Sequence, residues 1–279
     1  MNITTILKIS RPRFWSYTAG TYILGVLFAW FFTDVSLSPL IVISFAYFLF
    51  FGNYLIYGVN DLFDYETDKH NPKKKTKEYL LQKKDAKFIV QSLWFSAVLS
   101  LAFVLIQPNL LSSILVVLFL FTSLGYSMPP LRFKVKPFVD SFSNVLYVIP
   151  GFIGYAQITG QFVPWYVLIA SIAWVMAMHI YSAIPDITYD TNAGIRTTAT
   201  VLGRQFSFLF CLFLWLVCAV LVFSLGFYSL FAFWLYPLIP FFHVLFPSVS
   251  EKKVYWYFPI LTNIIGAGIT IELLSHIFM

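Results

Sequence analysis

Acidic residues in one short run have the types and spacing that suit a metal ion. Four of the 12 acidic residues fall within nine positions that begin at Asn60, namely Asp61, Asp64, Glu66 and Asp68. Positions four residues apart lie on one face of a helix, so Asn60, Asp64 and Asp68 are expected to form a polar stripe. Carboxylate and amide oxygens suit Mg²⁺, which keeps several waters and bridges to substrate phosphates.

A second pair of acidic residues repeats the spacing of four. Asp186 and Asp190 follow directly after Pro185. Like charges on one helix face repel each other, and more strongly beside a low-dielectric membrane, so stacked carboxylates need a counter-charge. A single pair would be interpreted as a solvated helix end. Two pairs with matching spacing favour a magnesium site instead.

Basic residues that could bind a phosphate lie in two loops on the same predicted side of the membrane as these carboxylates. Residues 125–134 are Gly-Tyr-Ser-Met-Pro-Pro-Leu-Arg-Phe-Lys, and Arg196 and Arg204 follow the second acidic pair. Arginine can bind a diphosphate through two nitrogens, while lysine supplies a point charge. Each residue alone could equally be a determinant of membrane topology. Their concentration in these two loops favours a shared anion site.

Membrane-spanning helices must position these side chains. The chain is 59% hydrophobic and only 11% charged, whereas a soluble domain carries about a quarter charged residues. A bilayer core about 30 Å thick needs roughly 20 apolar residues per helix. Six intervals lack Asp, Glu, Lys and Arg: 14–33, 35–60, 88–131, 141–185, 205–250 and 254–271. Three of them are long enough for two crossings and contain an uncharged turn near the middle, at residues 107–109, 159–161 and 225–226. Nine transmembrane helices are therefore expected.

The basic residues give the orientation of these helices. All 18 Lys and Arg lie in the N-terminus and every second predicted loop, at residues 8–13, 61–87, 132–140, 186–204 and 251–253. The positive-inside rule then places the N-terminus in the cytoplasm and the C-terminus on the opposite side. The net charge of +6 follows from this asymmetry, so we expect the lipid bilayer, and no nucleic acid, as a partner.

The expected architecture is an all-α integral membrane protein of the cell membrane. We expect a bundle of nine transmembrane helices around a central cavity, with a cytoplasmic cap of helix-end loops. Both acidic pairs follow an even-numbered helix, four helices apart. This arrangement suggests one domain over residues 1–279, built from two pseudo-repeats at about 1–136 and 137–250 plus a ninth helix.

A transporter of cations or protons is an alternative, because acidic residues inside membranes often line ion paths. The acidic residues cluster at one predicted face, however, and Glu272 near the outer end of the last helix is the exception. Glu272 is interpreted as an interfacial residue. His179, seven positions before Asp186, is interpreted as a packed or hydrogen-bonded histidine in preference to a catalytic one.

The acidic motifs and their surroundings resemble the UbiA superfamily of intramembrane prenyltransferases. The first motif matches that family's NDxxDxxxD without a gap, and the second matches its DxxxD, followed by Gly194, Thr197 and the Leu-Gly pair at 202–203. Residues 126–134 look like the family's YSxPPLRLK segment, with Phe in place of the second Leu. Arg11, at the start of the first predicted helix, also has a family counterpart. The resemblance covers essentially the whole chain.

The resemblance implies a Mg²⁺-dependent transfer of an isoprenyl group from its diphosphate to a lipophilic acceptor. It implies one metal bound by Asn60, Asp64 and Asp68, and another bound by Asp186 and Asp190. The implied diphosphate ligands are basic or phenolic: Arg11, Tyr126, Lys134, Arg196 and Arg204. Metal ions and cations would stabilise the leaving group, and a dry cavity would protect the allylic cation. The base that removes a proton after attack would be Asp61 or an aspartate of the motifs.

Residues 183–199 look most like the lycopene elongase branch of this superfamily. Enzymes of that branch attach C5 units from dimethylallyl diphosphate to a carotenoid, and many also hydrate the acceptor. Arg196-Thr197-Thr198 stands where members of quinone pathways commonly have a Lys-Ser/Thr-Leu-Pro type of sequence. The alternative acceptor is an aromatic acid or naphthoate of quinone biosynthesis.

Overall fold

A computed structural model of the chain describes residues 3–33, 38–65, 80–81 and 86–278. These residues form helices and turns, with no β-strand among them, which confirms the prediction of an all-α protein. In chain order the α-helices are α1 (Ile3–Ile9), α2 (Trp15–Phe32), α3 (Pro39–Ala46), α4 (Gly52–Phe63), α5 (Ala86–Leu105), α6 (Leu110–Ser127), α7 (Val139–Phe142), α8 (Ile149–Thr159), α9 (Trp165–Ala183), α10 (Ile187–Asn192), α11 (Thr198–Phe223), α12 (Leu235–Leu245), α13 (Glu251–Trp256) and α14 (Phe258–Phe278).

Seven stretches within the described residues are long and apolar enough to cross a membrane. They are Pro39–Phe63, Ala86–Leu105, Leu110–Ser127, Trp165–Asn192, Thr198–Phe223, Tyr228–Leu245 and Phe258–Phe278. These helices make the chain an integral membrane protein, as the sequence predicted. Helix α2 also has 18 residues but is not one of the seven, and its first half is rich in the less apolar residues Ser, Thr, Tyr and Gly. Helix α8 has 11 residues, because a 3₁₀ segment at Ser143–Tyr147 precedes it.

The three uncharged turns lie where the sequence predicted them. Helix α5 ends at Leu105, and the side chain of Asn109 accepts a hydrogen bond from the Ser112 amide at 2.9 Å, which caps α6. Gly160 has φ 67° and follows the end of α8, and Gly226 has φ 79° and follows the end of α11. Glycine adopts these left-handed backbone conformations without a steric penalty, so it ends each helix at a defined point.

The chain divides into two compact units. The first consists of Met1–Val26, Asp34–Arg132 and Ile149–Gln161. Its core contains a cluster of buried side chains from α1, α4 and α5, including Ile9, Tyr54 and Ile89. Helices α2 and α8 approach at the level of their backbones where Gly25 meets Gly151. Small residues allow such close approach between membrane helices, where van der Waals packing drives association.

A polar cluster also connects helices of the first unit. Gln157 of α8 accepts a hydrogen bond from the Tyr22 hydroxyl at 2.7 Å. Its amide nitrogen donates to Ser44 Oγ at 3.0 Å and to Gln107 Oε1 at 2.8 Å. One amide side chain therefore joins α2, α3, α8 and the turn after α5. Such bonds satisfy polar groups that would otherwise be unpaired in an apolar interior.

The second unit consists of Leu27–Thr33, Phe133–Val148 and Phe162–Met279. Its core is aromatic, since Tyr181, Trp215 and Phe258 are buried, and the rings of Tyr181 and Phe258 stack at 4.8 Å. The Tyr181 hydroxyl lies 2.6 Å from His243 Nε2. Glu272 accepts hydrogen bonds from the backbone amides of Tyr228 and Ser229, both at 2.7 Å. Glu272 thus caps the 3₁₀ segment Tyr228–Trp234.

Candidate active site

The first acidic motif lies at the end of α4 in the first unit. Asp64 directly follows the last residue of α4, and its backbone amide donates to the Asn60 carbonyl at 2.9 Å. The Asn60 side-chain amide donates to Asp64 Oδ2 at 2.8 Å and to Ser127 Oγ at 2.9 Å. Asp64 is only 9% exposed. The structure therefore brings Asn60 and Asp64 together, and Ser127 at the end of α6 joins them.

Arg132 is an additional cation beside this motif. Its Nη2 lies 4.0 Å from Asp64 Oδ1, and its side chain is 40% exposed. Its Nε is buried and has no hydrogen-bond partner among the described residues. Its backbone has φ 37°, a conformation that is costly for a residue with a side chain. Arg132 belongs to the basic stretch at residues 125–134, in which Lys134 was the predicted diphosphate ligand, and its contact with Asp64 was not predicted.

Arg11 and Asp61 form an ion pair in the same unit. Arg11 Nη2 donates to Asp61 Oδ1 at 3.0 Å, and the Asp61 side chain is 3% exposed. The Arg11 guanidinium also lies 4.5 Å from the centre of the Tyr57 ring. Removing one partner of a buried pair leaves an uncompensated charge, at a cost of about 3–5 kcal/mol. This pair therefore fixes the chain segment before α2 against α4.

The oxygen atoms present at the first motif fit a magnesium ion. Mg²⁺ is usually bound by one or two carboxylates together with waters and substrate phosphates. Asp64 supplies a carboxylate, and Asn60 and Ser127 supply an amide and a hydroxyl beside it. Asp68, the third predicted ligand, lies outside the described residues. Within the described ranges no three His, Cys, Asp or Glu side chains cluster tightly enough to hold a metal without further ligands.

The second acidic motif lies in a polar segment of the second unit, between α9 and α11. Asp186 ends the 3₁₀ turn Ile184–Asp186, and Asp190 lies within α10. Both side chains are half-buried. The chain then reverses at Gly194, which has φ 68°, and the Ile195 amide donates to the Asp190 carbonyl at 2.8 Å. Two carboxylates four residues apart supply oxygen ligands of the kind that Mg²⁺ accepts.

Arg196 follows this reversal and is exposed. Helix α11 begins two residues later with a capping box, in which the Thr197 amide donates to Thr200 Oγ1 at 2.8 Å and the Thr200 amide donates to Thr197 Oγ1 at 3.2 Å. Helix α11 is interrupted at Gly203, where φ is 71° and ψ is 170°. The Leu-Gly pair noted in the sequence thus marks a break that glycine permits.

The other predicted diphosphate ligands have different surroundings. Arg204 Nε donates to Glu251 Oε1 at 2.6 Å, and its Nη2 donates to the Pro247 carbonyl at 3.0 Å. Tyr126 lies half-buried in the last turn of α6, in the first unit. Lys134 lies half-buried in a 3₁₀ turn of the second unit. A role of Arg204 in binding diphosphate thus requires that it do so from within an ion pair.

A buried carboxylate of the second unit, Asp140 of α7, gave no signal in the sequence. Asp140 is fully buried and accepts hydrogen bonds from the Thr198 backbone and hydroxyl and from the Ser141 amide. Its Oδ2 lies 3.6 Å from His179 Nε2. Burial by itself raises the pKa of Asp140, but the hydrogen bonds from His179 and Thr198 and the His179 charge hold that pKa below its usual value.

Comparison with known proteins identifies the family of this chain. The model of the UbiA prenyltransferase family matches residues 13–257. The chain belongs to this family. It is therefore a prenyltransferase, and the resemblance drawn from its motifs is confirmed.

Several relatives carry a more specific name. The chain is 38% identical over 272 residues to the lycopene elongase/hydratase of Haloarcula japonica, and the match covers 95% of this chain and 90% of that protein. It is 37% identical over 269 residues to the lycopene elongase/hydratase of Haloferax volcanii, covering 94% and 86%. The Corynebacterium glutamicum protein of the same name is 34% identical over 230 residues, covering 80% and 78%.

Solved structures share the fold. A UbiA homolog from Archaeoglobus fulgidus bound to GPP and Mg²⁺ matches with a TM-score of 0.67 at 20% identity, covering 97% of this chain and 99% of that one. A digeranylgeranylglyceryl phosphate synthase matches with a TM-score of 0.72 at 18% identity, covering 98% and 99%. At these identities the match is evidence for the fold alone.

Proposed function

We propose that this enzyme transfers a C5 isoprenyl group from dimethylallyl diphosphate to the carotenoid lycopene. The observation that supports this proposal is the identity of 34–38%, over most of the chain, to three proteins named lycopene elongase/hydratase. Those relatives span both the region of the first acidic motif and that of the second. Residues 183–199 by themselves also resemble the lycopene elongase branch.

In the proposed reaction, polar groups bind the charged diphosphate, and apolar side chains surround the allylic cation. The C–O bond between the allylic carbon and the diphosphate breaks, and the diphosphate leaves with the electron pair. A terminal double bond of lycopene then attacks the allylic carbon and forms the new C–C bond. The cation left on the acceptor either loses a proton to a base or adds a water molecule, which then gives up one proton to a base. Apolar helices exclude water from the allylic cation, which otherwise would be hydrolysed.

The two acidic motifs are proposed to bind metal ions, and several basic residues are proposed to bind phosphate. Magnesium, when bound, supplies positive charge that stabilises the leaving diphosphate. We propose that Asn60, Asp64 and Asp68 of the first motif bind one ion and that Asp186 and Asp190 bind another. The proposed cations are Arg11, Lys134 and Arg196, with Arg132 added because of its place beside Asp64. Tyr126 stays a further candidate.

Two of the sequence predictions are given different roles in this proposal. Asp61 is proposed to hold Arg11 in place, since its carboxylate pairs with that guanidinium and is buried. Arg204 is proposed to stabilise the fold through Glu251 and Pro247. The base that accepts the proton is then proposed to be an aspartate of the two motifs.

The proposed topology retains nine transmembrane helices. It adds α2 and residues 141–159, which contain the 3₁₀ segment Ser143–Tyr147 and α8, to the seven stretches that are long and apolar enough among the described residues. The distribution of Lys and Arg supports a cytoplasmic N-terminus and a C-terminus on the opposite side. Cysteine substitution at Lys8 and at the chain end, with membrane-impermeant labelling of intact cells, tests this orientation. Labelling of Lys8→Cys from outside would contradict it.

Expression in cells that make lycopene tests the proposed activity. We expect C45 and C50 carotenoids in extracts of cells that express the wild-type chain, and none with Asp64→Ala or Asp186→Ala. Lys252→Gln is the control, because this charged residue is exposed and lies outside both motifs. Prenylated aromatic acids or naphthoates in place of carotenoids would replace the proposed acceptor with one of quinone biosynthesis. Turnover retained by both aspartate variants would exclude the proposed metal ligands.

A further inference from the structure

The Asp140 carboxylate is a fully buried anion whose surroundings are built to hold it. Oδ2 accepts the Thr198 amide at 2.8 Å, and Oδ1 accepts the Ser141 amide at 2.8 Å and the Thr198 hydroxyl. His179 Nε2 lies 3.6 Å from Oδ2. Burying an ionised carboxylate is costly unless it is paired and hydrogen-bonded, and here both oxygens have partners. The cost of this arrangement implies a use for it.

A strained backbone at Phe138 supports the hydrogen bonds around Asp140. Phe138, directly before α7, has φ 66° and ψ −37°, a conformation that side-chain-bearing residues rarely adopt. This conformation allows the Phe138 amide to donate to Thr198 Oγ1 at 2.7 Å. The Thr198 hydroxyl therefore donates to Asp140 and accepts from Phe138. Strained backbone persists only where its surroundings fix it, and such sites concentrate near functional residues.

The partners of Asp140 lie at the two ends of the polar segment that contains the second acidic motif. His179 is in α9, seven residues before Asp186, and Thr198 is the first residue of α11, two residues after Arg196. One carboxylate thus contacts the helix that leads into the segment and the helix that leads out of it. Asp140 itself belongs to neither, since it lies in α7.

We propose that Asp140 is a positioning residue, which fixes Asp186, Asp190 and Arg196 for Mg²⁺ and diphosphate by anchoring both ends of their segment. This inference rests on the proposed function of that segment. Outer residues that orient metal ligands commonly change metal affinity or activity by about 10–100-fold when they are altered. Loss of the anchor should act chiefly on binding, because Asp140 does not itself contact the diphosphate in this assignment. The KM for the isoprenyl diphosphate should therefore rise more than kcat falls.

Thr198 offers a matched pair of variants. Thr198→Val keeps the shape and the backbone amide but removes the hydroxyl that bonds to both Asp140 and Phe138. Thr198→Ser retains the hydroxyl and should behave as the wild type. Asp140→Asn keeps the size of the side chain and removes its charge. We expect Thr198→Val and Asp140→Asn to weaken binding of inorganic pyrophosphate in the presence of Mg²⁺ by about 10-fold or more, measured by calorimetry on the purified protein in detergent.

Limited trypsin digestion gives a second readout that is independent of catalysis. Arg196 is exposed, so cleavage after it reports the local mobility of the segment. The fragment that begins at Thr197, identified by mass spectrometry, should form faster in Thr198→Val than in Thr198→Ser. Thermal unfolding of each variant, followed by circular dichroism, shows whether the whole protein is still folded. If Asp140→Asn does not fold, the comparison of the two Thr198 variants decides.

The outcomes separate this inference from the proposed function. Wild-type pyrophosphate affinity and cleavage rate in folded Thr198→Val would overturn the positioning role, even if the enzyme elongates lycopene. Weakened binding in Thr198→Val, together with a wild-type chain that does not act on lycopene, would support the positioning role and refute the proposed acceptor. A wild-type chain that binds no pyrophosphate with Mg²⁺ would overturn both.

Discussion

Replacing Gly25 by alanine should separate two helices of the first unit. A methyl group at Gly25 of α2 would lie 2.7 Å from the carbonyl carbon and 2.9 Å from the Cα of Gly151 in α8, with the carbonyl oxygen closer still. Ordinary van der Waals contact begins at 3.4 Å. Relieving the contact with the carbonyl carbon alone requires a separation of 0.7 Å, the difference between 3.4 and 2.7 Å, and the closer carbonyl oxygen requires more. The obstacle is backbone within a helix, so a side-chain rotation cannot relieve it.

The magnitude follows from this displacement. A gap of 0.5–1 Å removes about a quarter to a half of the dispersion energy of each contact along an interface. Overpacking of a close-packed interior typically costs about 1–3 kcal/mol, and a rigid backbone obstacle places Gly25→Ala at about 3 kcal/mol. Gly20 in the same helix is the matched control, because a methyl group there meets only Ser16 Cβ, at 3.9 Å. Gly20→Ala should be neutral, or stabilising by up to about 1 kcal/mol through helix propensity.

Unfolding in mixed micelles of mild detergent and dodecyl sulfate measures both free energies, with helix content followed by circular dichroism. The expected result is a large loss of stability for Gly25→Ala and none for Gly20→Ala. Equal stability of the two variants would mean that α2 and α8 are not in backbone contact at Gly25, and the reasoning from their close approach would be refuted.

Three further predictions concern one polar and two charged residues, Asn60, Asp140 and Arg196. Asn60→Ala should raise the Mg²⁺ concentration for half-maximal turnover by about 10–100-fold, measured by metal titration, because it removes the amide beside Asp64. Since the pKa of Asp140 is lowered in the folded protein, its ionised form stabilises the fold above its usual pKa, and this contribution is lost as the pH falls through the lower folded value. Asp140→Asn should therefore flatten the acid limb of the stability profile and leave its slope near neutral pH unchanged. Arg196→Gln should weaken the binding of pyrophosphate with Mg²⁺, measured by calorimetry, more than Arg11→Gln does. The double variant Arg11→Gln/Asp61→Asn is the control, because it leaves no buried unpaired charge.

The fold was predictable because hydropathy and turn residues carry most of the information in a membrane chain. In lipid every backbone polar group must be bonded internally, so long uncharged intervals become helices. Gly160 and Gly226 then mark helix ends through their left-handed backbones. The region from α7 to α8 was less predictable, since the uncharged residues before the turn at 159–161 predict one continuous transmembrane helix. The structure instead has α7, a 3₁₀ segment and the 11 residues of α8.

The candidate site was predictable only where a local spacing encodes it. Asn60 and Asp64 are four positions apart, and helix geometry alone brings them together. The ion pair of Arg11 with Asp61 spans 50 positions, and the contact of Asp140 with Thr198 spans 58. Neither separation follows from periodicity, because it depends on how distant segments pack. Asp140 in particular belongs to the basic stretch at residues 132–140, and no spacing in the sequence marks it as buried.

Two buried carboxylates that are not proposed metal ligands, Asp61 and Asp140, act on cations in different ways. Asp61 bonds directly to the Arg11 guanidinium and so neutralises part of its charge. Asp140 contacts the segment of Arg196 through hydrogen bonds from the backbone amide and the hydroxyl of Thr198. Its carboxylate is therefore paired with neutral donors and with His179, and not with the Arg196 guanidinium. An arginine held by its backbone retains its full charge for an anion, whereas one held by its guanidinium shares that charge with its partner. This difference, and not exposure alone, is the reason to expect the greater loss of diphosphate affinity from Arg196→Gln.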